Sequence, residues 1–448
     1  MTEEASDEND FQSRREQDIT RWGVVMGAPC PARRLLSSEP LGGRIKTKED
    51  DFLVEEIPLY RPCGFGEHLY LWVRKKGLAH SDLLEALRNH YRVRESAIGA
   101  AGMKDRIAVT TQTVSIHLPG VEPPDRPFKH KHIEVLGVER HNNKLRRGHL
   151  IGNRFVIRIR DLEPSQATVV WRGLQELEKR GVPNYYGPQR FGYRQNTHRL
   201  GALLLQGDYE GLLSEVLGAQ GSWFPPHQKE RRKAFDAGRL DKALQAWGRR
   251  DIAERVMLSK MIKGASPEES TRAVSRHMRT FWASAVQSAI FNHTLERRLE
   301  AGTIDRVSVG DVAYRHQSRN SFLIDEGTWG AEDQQARVDA FEISPSGPIF
   351  GTGFVGAEGD VGKIEAETID ASGVSEESFN TSELGLQGTR RPFRVPVTNC
   401  LLESGIDETG EFIRVAFDLP RGAYATVVLR EILGDAAVDT QHVNRQSS

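Results

Sequence analysis

The residues best equipped for chemistry lie in one short run, Ala100–Gln112 (AAGMKDRIAVTTQ). Its small residues permit a tight turn. Lys104, Asp105 and Arg106 then set one carboxylate between two cations at the entrance to a β-rich stretch. Nearby cations favour the ionised form of a carboxylate. In a cleft such a group can act as nucleophile or general base. The competing outcome is an inert, salt-bridged surface turn, and residue types alone favour it.

A second signal is a segregation of charge. The chain is nearly neutral, with 61 basic and 62 acidic residues. Between Arg126 and Arg160, however, ten basic residues face only Glu134 and Glu139, a local excess of +8, and four histidines share the stretch. A one-signed run repels itself unless an anion arrives, and a phosphate backbone is a natural partner. The alternative is a solvated face. Three other signals fail. GAEGDVGKI has Ala357 where a phosphate loop needs its first glycine, and Ile364 where it needs Ser or Thr. His130, His132 and Glu134 share one face of an extended strand but have no fourth candidate metal ligand nearby. GTGFVG (Gly351–Gly356) has the GxGxxG spacing, but no strand is predicted before it.

These residues need elements to position them. At 448 residues, with 38% apolar and 27% charged composition, the chain is long enough for two or three globular domains. No stretch reaches the length of a membrane helix. The acidic N-terminus has no apolar signal core, and Cys30, Cys63 and Cys400 form no CxxC pair, so a cytoplasmic setting is expected. Alternation predicts strands over Glu67–Arg74, the VTTQTVSIHL run, Asn153–Arg160 and Phe412–Leu419. Helices are predicted after Ser81 as N-cap, over Pro164–Arg180, Ala273–Glu300 and Ala425–Leu433. Residues 205–275 read as hydrophilic, and 351–388 as long loops. Strands and helices intersperse without regular βαβ alternation, which is an α+β pattern.

At this point a resemblance enters. GMKDRIAVTTQ (Gly102–Gln112) resembles the signature of the tRNA pseudouridine synthase D (TruD) family. Five further blocks are similar in the same order: RIKTKEDDFLVEE (Arg44–Glu56), KLRRGHLIGNRF (Lys144–Phe155), VPNYYGPQRFG (Val182–Gly192), FWASAVQSAIFN (Phe281–Asn292) and LPRGAYATVVLREIL (Leu419–Leu433). The resemblance implies a pseudouridine-synthase core on a mostly antiparallel mixed sheet flanked by helices, with a second α+β domain inserted. The expected layout is a polar, disordered tail over 1–40, core over 41–180 and 392–435, insert over 181–391, and a tail over 436–448. The implied activity is isomerisation of a tRNA uridine, expected at uridine-13, without cofactor or metal. A monomer with no membrane association is expected, since nothing in the sequence indicates otherwise. The same isomerase acting on another RNA, or a non-catalytic tRNA-binding or folding protein, stays open. Asp105 falls at the catalytic position. Phe52, Asn153 and Tyr424 fall at substrate-contact positions, with Tyr424 standing where some relatives have Phe. Core packing is the alternative for Phe52 and Tyr424. Lys46 is expected to pair with Asp105, Phe155 to line the substrate site, and Lys144, Arg146, Arg147 and Arg154 to meet the RNA backbone. The Val182–Gly192 string is expected to be architectural.

Overall fold

The computed structural model describes residues 16–30, 33–124, 126–381, 383–435 and 437. It divides into two compact units. One comprises residues 34–182 with 395–448, the other 1–33 with 183–394.

The first unit is built on an eight-stranded sheet. Its six N-terminal strands are β1 (Phe52–Pro58), β2 (His68–Lys76), β3 (Ile98–Ala100), β4 (Val109–His117), β5 (Ile133–His141) and β6 (Leu150–Arg160). A C-terminal hairpin, Thr398–Asp407 and Gly410–Pro420, completes it. From the hairpin the order runs β6, β1, β4, β2, β5, with β3 paired to β4. β1 and β4 run parallel, and the other pairings are antiparallel. This is the mostly antiparallel mixed sheet expected of an α+β core.

Alternation places the apolar residues on one face, and helices cover that face at two places. Helix Ala167–Arg180 buries Val170, Leu174 and Leu177, one side of a 3.6-residue period. Pro164 and a Glu163–Gln166 capping box open the turn before it, and Gly181 at φ 82° ends it. With helix Ala425–Leu433 it packs on Phe52, Val54, Phe155, Ile157, Ile159 and the hairpin. Helix His80–Tyr91 packs Leu83 and Leu87 on Leu69, Leu71, Val73, Val114 and Ile116. Between these two cores the same strand face turns polar: Glu56, Lys75, Thr110, Gln112 and Asn153 continue the inward phase of β1, β2, β4 and β6. The register sets Asn153 beside Glu56, and Thr110 beside both Val54 and Lys75.

In the second unit, helix Arg276–Glu300 is buried along much of its length. A four-stranded sheet and several shorter helices accompany it. The VPNYYGPQRFG string is tied to that long helix. Asn292 exchanges hydrogen bonds with the Tyr186 main chain at 2.8 and 2.9 Å, and Arg190 donates to Ser284 and Ser288 at 2.8 and 2.9 Å. Gly192, at φ 76°, has no room for a Cβ beside Thr197.

Three expectations need correction. Residues 16–27 form a helix rather than a tail, with Val25 and Met26 buried; His198 and Arg199 bond the Met26 carbonyl at 2.7 and 2.9 Å. Residues 1–15, and 436–448 apart from Ala437, lie outside the described residues. The helix expected to start at Ser81 begins at His80 with Ala79 as a plain N-cap, because no side chain satisfies its first amides. Residues 351–388 contain helices Gly359–Asp370 and Glu376–Thr381. Their Gly and Ser content hid an apolar stripe, of which Val361 and Ile369 are buried. The hydrophilic 205–275 stretch is a succession of short helices around Leu212, Leu217, Trp247, Met257 and Leu258. Among the described residues, no helix is long and apolar enough to cross a membrane.

Candidate active site

Asp105 lies in the irregular segment that joins β3 to β4. Its side chain is 51% exposed, yet a lysine whose side chain is 5% exposed fixes it: Lys46 Nζ sits 2.6 Å from Oδ2. Lys46 reaches this point from a left-handed backbone, φ 56°, a conformation that non-glycine residues rarely hold. Its ammonium also lies 4.2 Å from the centre of the Phe52 ring. A cation over an aromatic face gains about 0.5–2 kcal/mol, more as water is excluded.

Lys104 does not lie on a surface turn. It points into the protein with its side chain 6% exposed, 3.3 Å from the buried Glu56 carboxylate. It also donates to Asn153 Oδ1 at 2.5 Å. An ammonium only donates, so this contact fixes the amide and leaves Asn153 Nδ2 as a directed donor. Burial pushes the Glu56 carboxyl above its ordinary range and pulls the Lys104 ammonium below its own, and their mutual attraction opposes both shifts. Lys75, fully buried, donates to the Asp105 main-chain carbonyl at 2.7 Å and to that of Leu78 at 2.8 Å. Lys46 and Lys75 therefore both bond Asp105, one at its carboxylate and one at its main chain, while its neighbour Lys104 is buried against Glu56 and Asn153.

The Asp105 loop, the basic loop and the Tyr424 turn are linked by main-chain bonds and by the Arg421 guanidinium. Gly148 donates to the Ala101 carbonyl at 2.7 Å, Arg421 donates to the Gly148 carbonyl, and the Arg421 amide donates to Ile151 at 3.0 Å. The Gly152 backbone lies so close to Leu419 that a Cβ would fall 2.1 Å from its carbonyl oxygen, so only glycine fits this strand end. Tyr424, the N-cap of helix Ala425–Leu433, is 50% exposed, and core packing does not describe it. It does describe Phe52 and Phe155. Both are buried, Phe52 edge-on to Phe155 and Phe155 against Phe417. They form a wall beneath the lysines rather than an open contact surface.

The basic run divides in two. Arg140 pairs with Glu122, Arg154 with Asp418 at 2.8 Å, and Arg158 and Arg160 with Asp51 and Asp407. Arg154, partly exposed, is thus already paired with a carboxylate. Arg146 and Arg147 are exposed, and Lys144 bonds only the neutral Ser96 carbonyl, at 2.6 Å. Among the described residues none of these three meets a carboxylate.

Lys75 and Glu56 went unread in the sequence although a signal existed. Each is a charged residue in phase with an inward-facing strand pattern, after Leu69, Leu71 and Val73 in one case and Phe52 and Val54 in the other. A charge at such a position is either satisfied internally or serves a site.

Comparison with known proteins gives this arrangement a context. The chain matches the family described as tRNA pseudouridine synthase D (TruD) over residues 33–432. The tRNA pseudouridine synthase D of Syntrophotalea carbinolica is 36% identical over 394 residues, covering 88% of this chain and 96% of its own length. That of Thermus thermophilus is 33% identical over 401 residues, covering 89% and 91%. A crystal structure from Methanosarcina mazei, described as a tRNA pseudouridine synthase D, superposes with a TM-score of 0.79 at 26% identity, covering 92% of this chain and 98% of its own. With the family match spanning nearly the whole described chain and these relatives aligned end to end, the chain belongs to the tRNA pseudouridine synthase D family.

Proposed function

We propose that this pseudouridine synthase, an isomerase by family, converts uridine-13 in the D-arm region of tRNA to pseudouridine with Asp105 as its catalytic carboxylate. The observation that carries the reading is a half-exposed carboxylate held by a buried ammonium, with two more buried lysines behind it. In the reaction the ribose C1′–N1 bond breaks and C1′–C5 forms; the C5 proton leaves and N1 gains one. No electron changes hands. Asp105 attacks ribose or base, or removes a ribose proton, and an ionised carboxylate serves each route.

The target nucleotide leaves its stack before reaction, at a cost of a few kcal/mol. The exposed Tyr424 ring offers a stacking surface, and base–aromatic stacking returns about 1–3 kcal/mol. Asn153 Nδ2 is a donor suited to a uracil carbonyl. Phe52 and Phe155 support the floor on which Lys46 rests. Lys144, Arg146 and Arg147 meet the phosphate backbone, whose recognition by shape and charge suits structured RNA.

The test is release of tritium from tRNA transcripts labelled at uracil C5, in buffer without added metal or nucleotide, followed by mapping of the altered nucleotide. Release with modification at uridine-13 is the expected result. Release mapped to another position or another RNA would overturn the assigned target. Tight tRNA binding with no release would point to the non-catalytic reading.

A further inference from the structure

Lys75 is a buried ammonium that the isomerisation chemistry does not itself call for. It projects from β2 in phase with Leu69, Leu71 and Val73, onto the sheet face that helix His80–Tyr91 covers. Among the described residues no carboxylate lies within ion-pair distance of it. An ammonium in such a place is costly, and an apolar side chain of similar volume packs there at lower cost. Packing therefore gives no reason for a lysine. Its hydrogen bonds do: one goes to Leu78, in the turn that leaves β2, and the other to the main-chain carbonyl of Asp105 itself. The catalytic segment has no regular structure of its own, so this bond ties it to the sheet.

Resting on the reading of Asp105 as the catalytic carboxylate, we propose that Lys75 is a positioning residue that holds the catalytic loop through the Asp105 carbonyl and acts in its protonated form. Burial lowers the Lys75 ammonium to about 8, against the pull of Asp105 and with the push of Lys104. His80, on the covering helix, is the other titratable group facing it, and burial together with Lys75 and Lys104 holds that imidazole below its ordinary range. Lys75 is charged below pH 8 and loses its proton as the pH rises through that value. The neutral amine can still donate, but the charge assistance to the carbonyl and the field on Asp105 are gone.

Single-turnover rates at saturating tRNA from pH 6.5 to 9, for wild type, Lys75→Arg and Lys75→Met, decide the matter. The wild-type rate is expected to fall above about pH 8. Arginine stays charged throughout, so Lys75→Arg is expected to lose that alkaline limb. Lys75→Met is expected to lower the rate at pH 7 by about 10–100-fold, the scale of a misplaced catalytic group, with tRNA affinity nearly unchanged and no limb near pH 8. A wild-type rate that stays flat to pH 9, or a limb that survives unchanged in either variant, would overturn the proposal. Should both variants melt early or lose tRNA binding, a wild-type rate flat to pH 9 still overturns the proposal. No tritium release by wild type at any pH would overturn the catalytic reading itself, and this proposal with it.

Discussion

Toward its two ends, β6 lies beside clusters of the same ingredients, cationic side chains and carboxylates, arranged to opposite effect. Near its C-terminal end Arg160 is buried against the fully buried Asp51, at 2.5 and 3.2 Å, and reaches Asp407 at 2.7 and 2.9 Å. Arg158 approaches the same two carboxylates at 4.0 and 3.9 Å. Two cations meet two carboxylates, and Asp407 is held well below the usual carboxylate range, chiefly by its bond to Arg160. Near the N-terminal end, beside Asn153, three lysines meet two carboxylates. The lysines and Glu56 are buried, Lys75 has no carboxylate partner among the described residues, and Asp105 is the exposed member. On the proposed assignment of Asp105, the contrast teaches what separates a structural ion cluster from a reactive one. The first is neutral and closed. The second keeps an unmatched positive charge inside and leaves its carboxylate accessible.

The contrast can be broken at either end. The largest effect on stability is expected from Asp51→Asn, which leaves Arg160 buried with one partner fewer. Breaking a buried pair costs about 3–5 kcal/mol, so chemical denaturation should show a loss on that scale while the rate per folded molecule stays at the wild-type value. A matching loss of rate would show that the two ends are not independent. At the reactive end, Lys46→Met is expected to lower the isomerisation rate by about 10–100-fold with little change in denaturation midpoint, because one member of its pair is already in water. An equal loss of stability would make Lys46 a structural cation like Arg160.

A smaller effect tests the sorting of the basic run. Replacing Arg146 and Arg147 together with Gln should weaken tRNA binding several-fold, and should reduce the slope of log affinity against log salt by about 1–2. Arg154→Gln should leave that slope unchanged, since Asp418 already neutralises its charge. A slope that responds to Arg154 as strongly as to Arg146 and Arg147 would undo the division.

These two regions also mark how far the sequence could be read. The strands that build the sheet alternate clearly, and Gly181 and Gly434 end their helices where turn chemistry requires. Lys-Asp-Arg in a small-residue turn was visible, but its chemistry was not, because a surface turn and a buried Lys104–Glu56 pair look alike along the chain. The +8 run was overcounted for a related reason. The carboxylates that neutralise Arg154 and Arg160 lie 264 and 247 residues further on, beyond any local count. Tyr424 carries no periodic signal and entered through resemblance alone. The helix at 16–27 was hidden because its polar N-terminal side reads as part of the acidic tail that precedes it.

The central claim is that Asp105 supplies the reactive carboxylate. The most direct test is tritium release from uracil-C5-labelled tRNA by Asp105→Asn and wild type, in single turnover at matched RNA occupancy. This account predicts release by wild type and a loss of about 10⁴-fold or more in the variant, with tRNA affinity and melting temperature retained. Comparable release by both proteins would contradict it and move the chemistry to another residue.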